Sequence, residues 1–246
     1  MLRKSGPGVL RLNGANTYAG RTVLEGGGLS IASINSVAGG EASSSLGAPS
    51  NIENGEIWIV GRRCALIYTG KGEMTDRVLN LAGRESELTL NQSGSGLLKF
   101  TSPFVISGYG YDKTIVLTGS TAGGGELAMD IRDPHDRKGA ARTAIRKTGT
   151  GTWTLSGANS YSGDTKIESG VLSLSGRRGL GPQTDVHISR GAVLELDFEG
   201  QVRIGRLYVD GKLQSAGSYS RKNAGLCIRG SGVCIATTAS DGRESR

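Results

Sequence analysis

Residues 4–31 read KSGPGVLRLNGANTYAGRTVLEGGGLSI, and residues 147–174 read KTGTGTWTLSGANSYSGDTKIESGVLSL. The two stretches align without a gap at an offset of 143, and 14 of the 28 positions are identical. Gly6, Gly8, Gly14, Asn16, Tyr18 and Gly20 recur as Gly149, Gly151, Gly157, Asn159, Tyr161 and Gly163, so turn residues match turn residues. Within each copy the apolar period is two. Leu10 and Leu12, or Trp153 and Leu155, share one side of a strand while Arg11, Thr152 and Thr154 share the other. A second short strand holds Leu24 or Ile167, and a third holds Leu29 and Ile31 or Leu172 and Leu174. Gly26-Gly27-Gly28 and Ser169-Gly170 supply the turn between them.

A three-strand unit with one apolar side cannot bury that side alone, and stacking units so that like strands pair in parallel encloses a continuous core. The fold class read from this pattern is all-β: a single-stranded right-handed parallel β-helix (β-solenoid), with a short antiparallel C-terminal hairpin or cap as an option. Coils of roughly 20–28 residues spaced about 4.8 Å apart predict about ten coils and a rod about 50 Å long. Stacking predicts Asn16 and Asn159 in amide ladders and Tyr18 and Tyr161 against rings or aliphatic groups of the next coil. The stretch between the copies reads as the same architecture worn down. Gln92 to Phe100 echoes the start of the unit with Leu98 and Phe100 inward, and Thr114–Thr118 and Glu126–Ile131 read as strands. A β-branched residue at Gly14 or Gly157 is expected to disturb its coil far more than one at Gly124.

Composition agrees with an all-β chain of many turns. Glycine accounts for 41 of 246 residues and proline for only 5, and no Gly-X-Y period is present, which excludes collagen. Hydrophobic residues at 36 % are too many for a disordered chain. No stretch has the apolar length of a transmembrane helix, and no signal peptide is recognisable behind Met1. Since Lys4 already belongs to the repeat, the chain is expected to be part of a longer polypeptide. The organisation expected is a β-helix over 1–200, with its copies at 4–31 and 147–174, and a basic capping segment and tail over 201–246. That last segment holds eight basic and three acidic residues, which is most of the total net charge of +7. Few aromatics interleave with these charges, so no specific nucleic-acid partner is expected.

Chemistry is sparse. Asp130, Asp133 and Asp136 crowd around His135 and form the best hard-oxygen set for Ca²⁺. Arg132, Arg137 and Lys138 are interleaved with them and favour a solvated loop instead. His187, between Val186 and Ile188, is expected to point outward together with Asp185. No nucleophile sits in a Gly-x-Ser-x-Gly setting, and the Gly-rich runs precede strands rather than helices. No catalytic constellation and no cofactor site is recognised. Cys64 stands apart, while Cys227 and Cys234 would face each other if Gly230-Ser231 closed a two-residue hairpin. Both the disulfide and the reduced pair remain open readings.

The pattern KxGxG, then Leu-x-Gly-Ala-Asn, Tyr18 or Tyr161, and the trailing Leu-x-[Ile/Leu], resembles the autotransporter-associated β-strand repeat. The segment Leu207 to Tyr219 is similar to the ending that often follows the last repeat. The resemblance implies a parallel β-helix in an exported passenger region at the surface of Gram-negative-type bacteria. It implies a structural stalk that displays or supports adhesion, with a polysaccharide or cell-surface glycan as candidate partner. It carries no catalytic residue. The competing reading is a polysaccharide-binding or polysaccharide-cleaving β-helix, of lyase or hydrolase type, acting around Asp130–Asp136.

Overall fold

Short runs of alternating apolar and polar residues cut by glycine form short strands, and the described residues hold two dozen of them. The computed structural model describes residues 1–108, 110–135 and 141–237. Most strands lie in three long parallel sheets, with a three-stranded sheet at the C-terminal end; residues 57–100 visit the three long sheets in turn, whereas residues 2–31 alternate between the first and second and residues 113–196 between the second and third. The first face stacks Leu2–Lys4, Thr22–Leu24, Ile57–Ile59 and Leu79–Leu81. The second stacks Val9–Leu12, Gly27–Ile31, Arg63–Tyr68, Glu87–Gln92, Lys113–Gly119, Thr143–Lys147, Thr165–Ile167, Val186–Ile188 and Leu207–Val209, all parallel. The third runs from Glu73–Thr75 through Leu98–Phe100, Gly124–Leu127, Thr152–Leu155, Val171–Leu174 and Val193–Leu196 to Ile228–Gly230. One helical turn, Ile52–Gly55, interrupts the strands; the Asn51 side chain caps it by accepting from the Asn54 amide.

The stacking differs in one respect from the expectation of like strands pairing between units. Leu10 pairs with Leu29, and Trp153 pairs with Leu172, so the first and third strands of one copy lie on each other. Partner residues within a copy are therefore 19 or 20 positions apart, as in Val9↔Gly28 and Leu2↔Thr22. One repeat is a full coil plus the opening strand of the next. Elsewhere a coil lengthens by loops, as between Gly27 and its partner Cys64. The longest stack has nine parallel strands rather than ten coils, which at about 4.8 Å per step makes a rod about 40 Å long.

The two copies also occupy different faces. The strand Val9–Leu12 lies on the second face, whereas its counterpart Thr152–Leu155 lies on the third. Likewise Leu2–Lys4 lies on the first face and Thr143–Lys147 on the second. The three faces accept the same inward residues, so the motif turns by one face between its copies.

The core is a set of inward columns. Leu29, Leu66, Leu90 and Leu117 stack in register on the second face and are all buried. On the third face Leu98, Gly125, Trp153, Leu172, Leu194 and Ile228 form one column. Trp153 is 1 % exposed, and its ring fills the space in which a Cβ on Gly125 would lie. Its Nε1 donates to the Thr118 carbonyl at 2.8 Å. Trp153→Phe is expected to lower stability by about 1–2 kcal/mol through the lost volume and the orphaned carbonyl. Denaturant unfolding with an unchanged midpoint would contradict this packing.

The C-terminal end closes with antiparallel strands. Lys212–Leu213 folds back on Leu207–Val209, and Gly217–Tyr219 runs antiparallel to Val233–Ala236, which itself lies parallel to Gln201–Ile204. Gly230-Ser231 does not close a hairpin. Ile228–Gly230 and Val233–Ala236 belong to different sheets, because the chain turns a corner of the solenoid there. Cys227 and Cys234 consequently do not face each other across paired strands, and Cys64, Cys227 and Cys234 are free thiols. Burial pushes the Cys234 thiol up to about 12.

Candidate functional site

The repeat's identical residues build a corner. Lys147 is fully buried at the end of its strand, and its Nζ donates to the carbonyls of Thr148, Gly149 and Ser169 at 2.7, 3.0 and 3.0 Å. Lys4 makes the same three bonds in the first copy, to Ser5, Gly6 and Gly26 at 2.7, 2.8 and 3.0 Å. At the worn copies the same corner is held by other long polar side chains. Gln92 bonds Gly94 and Gly124, and the Tyr68 hydroxyl accepts from the Gly72 amide. The identical Lys4 and Lys147 were the signal for this corner, and reading the glycines alone passes over it.

Desolvation pulls the Lys147 ammonium down to about 8, well below an ordinary lysine. Between about pH 8 and 10.5 the unfolded chain holds this proton and the folded chain does not, so this group adds stability as pH rises through that window. The difference in stability between the wild type and Lys147→Met, followed from pH 7 to 10.5, is expected to widen in favour of the wild type. That subtraction removes the opposing contributions of the buried thiols and tyrosines; parallel profiles would refute the assignment.

Asn159 and Tyr161 act as couplers. Asn159 Oδ1 accepts from the Ile131 amide of the coil before at 2.9 Å, and Nδ2 donates to the Gly179 carbonyl of the coil after at 2.7 Å. Asn16 Nδ2 donates to Ser45 in the same way at 2.9 Å. The asparagines therefore bind backbone, not one another. The Tyr161 hydroxyl lies 2.8 Å from Thr165 Oγ1, and that of Tyr18 lies 3.2 Å from Thr22 Oγ1. Each ring is tied to its own coil rather than stacked on a ring of the next.

The two described aspartates of the acidic loop bind backbone amides. Asp130 Oδ1 accepts from the Ala158 amide at 2.7 Å, and Asp133 Oδ1 accepts from Thr143 and Ser162 at 2.8 and 3.0 Å. These carboxylates fasten the loop to the next coil, and Arg132 lies 3.6 Å from Asp130. Asp136 lies outside the described residues. Among the described residues no group of three or more His, Cys, Asp and Glu side chains is placed to hold a metal.

The outward side of the second face carries a column of basic and aromatic side chains. Arg146, Lys166, His187 and Tyr208 are register neighbours on consecutive strands. The His187 and Tyr208 rings are stacked, with centroids 4.4 Å apart and planes 3° from parallel. The Arg206 guanidinium lies 5.6 Å from the Tyr208 ring centroid. Asp164 sits 3.5 Å from His187 and 3.9 Å from Lys166. Desolvation holds the imidazole below its usual value, opposed by Asp164 and reinforced by Lys166. His187 is outward as expected. Asp185 is not: it is buried at the corner and accepts from Arg206 Nε and Nη2 at 3.0 and 2.5 Å.

Residues 2–31 and 145–174 match the family model of the passenger-associated-transport-repeat. The chain is 33 % identical over 166 residues to the adhesin BmaC autotransporter of Brucella suis biovar 1 (strain 1330), an alignment that covers 66 % of this chain and 5 % of that adhesin. The chain thus spans a small part of the length of that curated relative. No solved structure matches it. Among the described residues no helix is long and apolar enough to cross a membrane.

Proposed function

Since the chain is an autotransporter-type passenger repeat protein, we propose that it forms a stiff β-solenoid segment of an exported surface adhesin, holding adhesive surface away from the outer membrane. The observation that supports this best is the uninterrupted stack of nine parallel strands on one face. Each coil is fastened to its neighbours by backbone bonds and by buried side chains such as Asn159 and Lys147. A stack of this kind resists bending without a large globular core. Its likeness to a Brucella adhesin supports a place at the cell surface of a Gram-negative bacterium. The test is to place the chain between a signal peptide and an outer-membrane translocator barrel in Gram-negative cells. Surface display, read as cleavage by added protease on intact cells, is the expected result; retention inside the outer membrane would refute the reading.

The column Arg146–Lys166–His187–Tyr208 favours a second reading, in which the rod itself touches an acidic polysaccharide. Two permanent cations, a titrating imidazole and an aromatic face lie at successive strand spacings, suited to a chain of anionic rings. Binding to an acidic glycan such as heparin is expected to strengthen as pH falls below 6.5, since desolvation holds His187 under that ordinary value and it gains charge only there. Lys166→Glu is expected to weaken it about tenfold in low salt. A glycan array without anionic hits would remove this reading and leave the spacer role intact.

A further inference from the structure

A groove of about 310 Å³ opens where the chain leaves the third face, between the turn after Val171–Leu174 and the strand Gln201–Ile204 of the following coil. Arg177 and Arg178 line it from the turn, and Arg203 lines it from the strand. Val202 and Ile204 are buried, so the alternation along that strand turns Gln201 and Arg203 outward, and both are exposed. Among the described residues no carboxylate lines the groove, and three guanidinium charges face one opening. Arg3, Arg21, Arg62, Arg132 and Arg206 each pair with a carboxylate, whereas among the described residues Arg177, Arg178 and Arg203 pair with none.

The charges are held in place. Arg177 Nε donates to the Glu199 carbonyl at 2.9 Å, and its guanidinium lies so close to Gly200 that a Cβ there would stand 2.5 Å from Nε and 2.7 Å from Nη2. Gly200 has a φ of +109°, so both its conformation and its missing side chain suit the arginine laid against it. That one bond fixes the plane of the fork and leaves both terminal nitrogens to donate to a ligand. The turn is fastened from beneath, because the Asn159 amide and Nδ2 donate to the carbonyls of Arg178 and Gly179 at 2.8 and 2.7 Å. Three like charges gathered on fixed backbone repel one another, and an anion seated between them removes that repulsion.

Coil stacking does not call for these arginines. The family match ends at Leu174, and the residues 143 positions before Arg177 and Arg178 are Ile34 and Asn35. Leu180 and Pro182 add an apolar wall to the groove, and Ser160 and Gln201 add a hydroxyl and an amide. An apolar wall beside small polar groups suits the C–H side and the hydroxyls of a sugar ring, and guanidinium forks suit a tetrahedral oxyanion.

We propose that this groove binds a sugar ring bearing a sulfate or phosphate ester, with the oxyanion between Arg177, Arg178 and Arg203 and the ring against Pro182. The groove shares no residue with the column Arg146–Lys166–His187–Tyr208, and the inference survives if the surface role proposed above does not.

The test is an NMR titration of the full chain with glucose 6-sulfate, glucose 6-phosphate, glucose and inorganic phosphate. The amides of Gly179 and Gly200 are expected to shift saturably with the esters and not with glucose. Inorganic phosphate is expected to bind about fivefold more weakly than glucose 6-phosphate, since it lacks the ring contacts. The tighter of the two esters tells a sulfated from a phosphorylated glycan. Arg203→Ala, at an exposed position, is expected to weaken ester binding about tenfold, and Arg177→Lys about fivefold, because lysine keeps the charge and loses the fork. Inorganic phosphate binding as tightly as the ester would overturn the proposal, as would shifts at His187 and Tyr208 in place of Gly179 and Gly200. An equal loss in Arg229→Ala, exposed and outside the groove, would also overturn it by showing attraction to net charge alone.

Discussion

Gly157→Val is expected to lower stability by about 3 kcal/mol or more, whereas Gly14→Val in the same chain stays within about 0.5 kcal/mol. The two glycines hold the same place in a repeat that is half identical, so sequence alone ranks them equal. Structure separates them: any side chain at Gly157 drives into the carbonyl of Met129, whose oxygen is backbone and cannot rotate away, while Gly14 faces open space. Neither residue has a positive φ, so the contrast is one of clearance and not of backbone conformation. Gly124 belongs with Gly14, since a Cβ there meets only Leu97 Cδ1 at 3.7 Å. Denaturant unfolding of the three variants measures the contrast, and equal losses at 14 and 157 would show the stacking register to be wrong.

Arg77→Met is expected to cost about 3 kcal/mol and to loosen residues 32–56 as a unit. Arg77 is fully buried, and its Nε donates to the Gly55 carbonyl at 2.7 Å while Nη1 donates to Ile34 and Leu46 at 3.2 and 2.8 Å. Desolvation lowers the guanidinium to about 10, opposed by Tyr18, Asp76 and Glu73. The same excursion is held from outside by Glu73, which accepts from the amides of Ile34 and Asn35, and by Asp76, which accepts from Val37 and Ala38. Removing the guanidinium takes the donor from the Gly55 and Leu46 carbonyls and leaves that of Ile34 to the Ser44 hydroxyl alone. Arg77→Lys is expected to recover less than half, because one ammonium on a thinner stem does not span Gly55, Ile34 and Leu46 together. Faster amide exchange confined to residues 32–56 would accompany the loss; uniform exchange across the chain would refute this local role.

The architecture was legible because the period-two pattern and the matched glycines are local properties of the repeat. Leu24, Leu29, Ile31, Trp153, Leu155, Leu172 and Leu174 were read as inward, and all are buried. What the repeat does not encode is which of its strands returns to which. That depends on the length of each coil, which the period-two pattern does not fix, and it is the coil from Leu10 to Leu29 that brings the first and third strands of one copy together. The Cys227–Cys234 hairpin failed for the same reason, since a two-residue glycine turn serves a solenoid corner as well as a hairpin. Asp130 and Asp133 look like ligands in a list of residues, but a corner that leaves backbone amides exposed uses carboxylates to satisfy them.

The shift of the motif from one face to the next has a consequence for what the rod displays. Outward residues carried at the same place in each copy point in different directions around the axis. Thr152 and Thr154 look out from the third face, while Val9 and Arg11 look out from the second. Duplicating such a repeat lengthens the rod without building a flat strip of identical groups along one flank. A longer array of copies offset in this way would wind its decoration like the thread of a screw, so that a partner approaching from any side meets it at some height.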